Sequence, residues 1–232
     1  MKSISSVAVL AGVLALNFIS AHAQTVAAPP AAGAADKQKA SLEKHIKPVL
    51  AALKLNDAAK AAKVHDILAA QFTALRAWHA ENDARLKPLW KEFNQARSAQ
   101  NAANADAALA KIDGVYASFQ PQHQKFLAGL ATVLTPAQIE TVKDVLTVNK
   151  VKVTYDVYLQ IFPTLTDAQK AVVLQNLKAA REQAIDCEAM SEKSAFFKKY
   201  KIKIEDGYLT AQGYAPQQAR RDFAAKKKRA HE

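Results

Sequence analysis

The residues best suited to chemistry sit where apolar stripes are interrupted. Val64, Leu68, Phe72, Leu75, Leu86, Leu89 and Phe93 recur at spacings of three and four, with His79 and Asn82 taking two positions that this rhythm reserves for hydrophobes. Trp78 and Asp83 lie beside them, and Asp83, four residues from His79, falls on the same helix face. His123 interrupts a second run, Leu109, Ile112, Tyr116, Phe119, Phe126, Leu130 and Val133. With the turn between the two runs centred near residue 101, His79 lies 22 residues before it and His123 22 after it, so an antiparallel hairpin would bring the imidazoles face to face.

Two imidazoles and a carboxylate are a ligand set for zinc or a similar ion. They are more commonly a hydrogen-bonded cluster inside a core, satisfied by Asp83 or Asn82. No metal and no cofactor is assigned on this basis. The third use is a ligand pocket, and Trp78, His79, Asp83, His123 and Tyr155 are the candidate ligand-binding residues. Trp78, Trp90, Tyr155, Tyr158, Tyr200, Tyr208 and Tyr214 offer stacking surface for a sugar or peptide, although aromatics at helical spacing more often build cores. Catalytic signatures are lacking: there is no phosphate-binding loop, no nucleophile elbow and no His-Glu-x-x-His. The chain is expected not to be an enzyme.

The elements that would position these residues are helical. Leu42, Ile46, Val49, Leu50 and Leu53 form a first stripe, which Pro48 should divide or kink. Asn56 offers a cap for a long helix to about residue 97, and a polar turn over 98–104 leads to the second run, with a kink expected at Pro121. Two local motifs then repeat, Leu134-Thr135-Pro-Ala-Gln138 and Leu165-Thr166-Asp-Ala-Gln169, with a weaker echo at 55–59. Each reads as a capping box, in which the Thr hydroxyl accepts from the third helical N–H and the Gln reaches back. Leu134 can also staple onto Ile139. Residues 150–158 alternate like a strand, yet Val142, Leu146, Val153, Val157 and Ile161 continue a helical stripe, so helix is the reading adopted and strand stays open. Helices over 166–186 and 191–200 follow. The expected fold is all-α, a long antiparallel helical hairpin with shorter helices packed against it.

Half of the residues are hydrophobic and Gly is scarce at 6, which suits one helical core. The N-terminus reads as a signal peptide over 1–23: Lys2, an apolar run from Val7 to Ile19, then Ala21-His22-Ala23 as a cleavage signature. That run is shorter than the ~20 residues a spanning helix needs, and no Cys follows it to accept a lipid. Residues 24–36, with Pro29, Pro30 and Gly33, read as a flexible Ala/Pro linker, 37–214 as a single helical domain and 215–232 as a basic, disordered tail. The expected location is periplasmic or secreted. The single cysteine, Cys187, cannot form an intramolecular disulfide and reads as a buried apolar residue, with an intermolecular disulfide as the alternative.

Net charge is +11, part of it from Arg220, Arg221, Lys226, Lys227, Lys228 and Arg229. An exported chain meets little nucleic acid, so no nucleic-acid partner is expected, and an anionic envelope surface is the better candidate for peripheral contact.

Two resemblances follow from these residues. The Leu-Thr-x-x-Gln copies are similar to the signature of the LTxxQ periplasmic proteins, the Spy and CpxP group, which implies a basic, helical chaperone that binds unfolded or acidic clients. Arg76-Ala-Trp-His79, Leu86-Lys-Pro-Leu-Trp90-Lys-Glu-Phe93, Lys150-Val-Lys-Val-Thr-Tyr155 and Tyr208-Leu-Thr-Ala-Gln-Gly-Tyr214 together resemble an uncharacterised family of secreted bacterial proteins that carries a provisional sugar-binding label. The expected function is an extracytoplasmic, non-enzymatic binding protein, with a saccharide as the candidate ligand and a Spy-like chaperone as the alternative.

Overall fold

The computed structural model describes residues 32–230, and every regular element among them is helical. The signal peptide and residues 24–31 of the linker lie outside the described residues. In order, the elements are α1 (Ala32–Leu53), α2 (Ala58–Ser98), α3 (Ala102–Tyr116), a 3-10 turn (Ala117–Phe119) and α4 (Gln120–Ala131). Next come α5 (Pro136–Leu146), α6 (Lys150–Ile161), α7 (Asp167–Ala184), α8 (Met190–Ile202), a π-helical stretch (Lys203–Leu209) and α9 (Pro216–Arg229).

Several boundaries differ from the sequence expectation. Residues 32–36 belong to α1 rather than to a flexible linker, and Pro48 does not end that helix. The cap of α2 is Asp57 rather than Asn56, because the Asp57 carboxylate accepts from the Lys60 N–H at 3.0 Å. At 41 residues, α2 is about 60 Å long, and Pro88 lies within it. Residues 150–161 form helix α6, whose buried Val151, Thr154, Tyr158 and Ile161 share one face. The two Leu-Thr-x-x-Gln copies are capping boxes, with Thr135 paired to Gln138 and Thr166 to Gln169 in both directions. Leu134 is buried in the same apolar cluster that Ile139 packs against.

The tail expectation is corrected. Pro216–Arg229 is helical, and its first half is tied down, because the Arg220 guanidinium forks onto Glu205, which also accepts from the Tyr158 hydroxyl. Ala219 and Phe223 pack against the core beside it. The basic residues therefore extend an anchored helix. Cys187 is buried beside Tyr116, and burial pushes its thiol up, so it acts as a small core residue.

Two apolar clusters make the core. One joins α1, the first half of α2, α4 and α5 through Ile46, Val49, Leu68, Phe126, Leu130 and Val142. The other joins the second half of α2 to α3, α6, α7 and α8 through Phe93, Ile112, Tyr158, Leu177 and Phe196. Buried polar side chains lie on helices of both clusters: Gln71 and His79 on α2, His123 on α4, Arg181 on α7, Asp186 just after it and Lys193 on α8. Arg181, 2% exposed, donates from Nη1 to Asp144 at 2.5 Å and from Nη2 to Glu140 at 2.6 Å, which clamps α7 to α5. Replacing Arg181 with Ala leaves Asp144 without its partner, leaves Glu140 to Lys178 at 3.3 Å and Lys143 at 3.7 Å, and opens a void. Urea denaturation should show a loss of about 3 kcal/mol, the lower end of the range for removing one partner of a buried pair.

Candidate functional site

The interrupting residues of α2 and α4 do not meet. Trp78 donates its indole N–H to Ser118 at 2.9 Å and stacks near Tyr116 and Phe119, while Gln122 reaches Gln71 at 3.0 Å. Position 79 therefore faces residues near 116–119, and His123 lies about a helical turn beyond it. The three-residue 3-10 turn and the fresh helix start at Pro121 break the even register that a simple hairpin assumes. His79 and His123 consequently serve two separate sites.

At the first, His79 is buried, and its Nδ1 lies 2.9 Å from Asp83 Oδ1, one turn on along α2. Lys87 holds the other Asp83 oxygen at 3.1 Å. Burial pushes the Asp83 carboxyl up, but the His79 and Lys87 contacts outweigh it and leave the pKa below the ordinary value. From α8, Glu192 joins this pair. One ligand atom each of His79, Asp83 and Glu192 lies within 4.8 Å of the others. Glu192 is set by its place in the first turn of α8, where its carboxylate accepts from the Ala189 N–H at 3.3 Å. Burial raises its pKa, against the pull of His79. His79 Nε2 has no hydrogen-bond partner in the protein, an arrangement that costs free energy in a buried site.

Asp83 and Glu192 stand at one end of a groove of about 1050 Å³ between α2 and α8. Lys87, Lys91 and Lys198 contribute positive charge to it, Asn94, Gln95, Ser98, Ser191 and Ser194 contribute amides and hydroxyls, and Trp90 forms an aromatic wall. Trp90 is braced edge-on by Phe93 and Phe196 at 6.0 and 5.5 Å, and its indole N–H has no partner in the protein. Charged, amide and hydroxyl side chains thus share this lining with apolar surface.

The second site is a cavity of about 450 Å³ bordered by Tyr116, Gln120, His123, Glu182, Asp186 and Tyr200. His123 Nδ1 is 2.8 Å from an Asp186 oxygen, and its Nε2 is 4.0 Å from Glu182. Asp186 raises the His123 pKa more than burial lowers it, while burial raises the Asp186 carboxyl in spite of His123. Both shifts make the folded state hold protons more tightly than the unfolded chain.

Of the five candidate ligand residues, Asp83 lines the α2/α8 groove with His79 bonded to it from behind, and His123 borders the second cavity. Trp78 uses its N–H and both neighbouring rings inside the protein, so it backs His79 instead of presenting a stacking face. Tyr155 lies on α6, packed against the second core cluster, and shares no lining with either cavity. Sequence reasoning missed Glu192 and Lys198, and it offered Trp90 only as one of seven aromatics with stacking surface. A glutamate in the first turn of a helix is what capping alone predicts, so Glu192 carried no further signal.

Residues 39–229 match the family described as a protein of unknown function, DUF3826, and the chain belongs to that family. No curated protein matches it.

The His123–Asp186 pair gives a measurable pH signature. Because the folded His123 pKa is raised above its unfolded value near 6.5, its contribution is fully present below that value and is lost as pH rises through the folded pKa. The raised Asp186 carboxyl acts in the same sense. Thermal denaturation of the parent and of His123→Gln, compared from pH 5.5 to 8.5, should therefore show the parent's advantage shrinking as pH rises. A difference that stays constant would show that the imidazole does not titrate in this range.

Proposed function

We propose that this chain is a non-enzymatic, extracytoplasmic binding protein whose α2/α8 groove takes a polar small molecule of the saccharide class. The observation that carries this reading is the groove lining, in which one braced tryptophan sits among five amide and hydroxyl side chains, with carboxylates at one end and lysines along its length. Sugars present hydroxyls that need paired donors and acceptors and C–H faces that pack on aromatic rings. At about 1050 Å³ the groove is at the upper end of the ~300–1,000 Å³ typical of small-molecule sites, which suits a disaccharide or longer better than a single ring.

The chaperone alternative draws less support. Among the described residues the large exposed hydrophobics are Val148, Val153 and Met190, little surface for an unfolded client, and the Leu-Thr-x-x-Gln copies are accounted for as caps. Export rests on the N-terminal signature. Among the described residues no helix is long and apolar enough to cross a membrane. In that setting the basic last turn of α9, Lys226 to Arg229, is the proposed point of peripheral contact with an anionic envelope surface.

The test is a thermal-shift screen of the signal-free protein against neutral and acidic oligosaccharides in EDTA, since a ligand that binds only the folded state raises its melting temperature. One saccharide class should raise it. Calorimetry on that ligand should then show at least about a tenfold loss, ~1.4 kcal/mol, in the exposed Asn94→Ala/Gln95→Ala variant. A flat screen, or equal affinity in the variant, would remove the saccharide reading.

A further inference from the structure

We propose that His79, Asp83 and Glu192 form a binding site for a divalent transition-metal cation, zinc in the first instance, at the inner end of the α2/α8 groove. Three observations support it. One ligand atom from each residue lies within 4.8 Å of the others, and in a tetrahedral zinc site with bonds of about 2.0–2.2 Å the ligand atoms are roughly 3.3–3.6 Å apart, so closure needs only small side-chain rotations. The three residues come from two helices: His79 and Asp83 are one turn apart on α2, an i, i+4 spacing that presents two ligands from one face, and Glu192 comes from the start of α8. His79 is 3% exposed, and its Nε2 has no hydrogen-bond partner in the protein, so the side chain retains an unused donor or acceptor deep in the fold.

The chemistry selects the cation class. One imidazole nitrogen with two carboxylate oxygens suits a borderline ion such as zinc better than calcium or magnesium, which prefer all-oxygen shells. Two carboxylates balance a dication, so the bound site is neutral. The surroundings supply outer support: Lys87 on Asp83, the Ala189 N–H on Glu192, and the Trp78 ring at 5.1 Å edge-on to the imidazole. Asp83 and Glu192 line the groove and His79 lies behind them, so the ion has an entry path and its free coordination positions open towards the groove. The site does not depend on what organic molecule the groove holds.

The experiment uses the whole signal-free chain, stripped with EDTA, dialysed and titrated with zinc chloride by calorimetry. One zinc per chain is expected, with a rise in melting temperature. His79→Ala removes a buried ring and risks misfolding, so the deciding variants are the partly exposed Asp83→Asn and Glu192→Gln, each confirmed as folded by circular dichroism. Each should weaken zinc binding at least about tenfold. Cobalt(II) loaded in place of zinc should give visible ligand-field bands in the parent that change in Glu192→Gln. Absence of zinc binding, or binding that is equally tight in both variants, as expected if a surface group such as His65 with Glu43 and Asp66 held the ion, would overturn the proposal.

Discussion

The Arg181 guanidinium, enclosed between α5 and α7, sets the terms on which the rest of this fold is built. A charge taken out of water costs several kcal/mol unless it is paired and hydrogen-bonded, and a single buried arginine needs more than one carboxylate to use its fork. Glu140 and Asp144, one helical turn apart on α5, supply two, and Glu182 adds a third charge at 3.6 Å. That requirement fixes the rotation and height of α7 against α5, which apolar packing alone would leave free to slide. Lys143, on the same α5 face, reaches Glu182 at 2.9 Å, so anions and cations alternate along the contact.

The constraint propagates through α7 into the site. Five residues beyond Arg181 the chain reaches Asp186, which meets His123 of α4, and then Cys187, buried against Tyr116 of α3. After that turn α8 begins, and its Lys193 donates to the Leu146 carbonyl at 2.9 Å, where the last carbonyls of α5 lack partners. Both ends of the α7–α8 connection are thus tied to α5 and to the hairpin. Glu192, next to Lys193, is thereby held opposite Asp83. The acid from α8 approaches the acid from α2 where the Lys193 contact and the packing of Phe196 and Phe197 seat α8.

Most of the fold is written in local patterns. The stripes of α2, α3, α4 and α7 follow the helical period, and the capping boxes at Thr135 and Thr166 carry their own hydrogen-bond chemistry, so element type and position follow from the residues themselves. The interruptions at His79 and His123 were visible for the same reason. Their pairing was not, since a register depends on the rise of every intervening residue, and the 3-10 turn at 117–119 leaves no mark in the apolar rhythm. The anchoring of α9 was equally hidden: Arg220 reads as one basic residue among six until Glu205 and Tyr158, distant in sequence, are seen to face it. Trp90 reads as one of seven aromatics with stacking surface, and only the position of α8 singles it out as a groove wall.

Residues that merely satisfy a core differ from residues kept available. Arg181 gives both Nη groups to carboxylates and leaves only Nε without a partner, and Lys193 donates to a carbonyl. Their polarity is absorbed by the fold. His79 has one nitrogen bonded to Asp83 and one without a partner, and Trp90 has a partnerless indole N–H; Trp90 and Asp83 line a groove that mixes lysines, amides, hydroxyls and two carboxylates, and His79 lies behind Asp83. A core under selection for stability alone would fill these positions with hydrophobes at little cost, because an unpartnered buried polar group is a net loss of about 1–3 kcal/mol. Unpartnered buried atoms also occur at Gln71, Arg181 and Asp186, so what distinguishes those of His79 and Trp90 is their place beside a lining of lysines, amides, hydroxyls and two carboxylates.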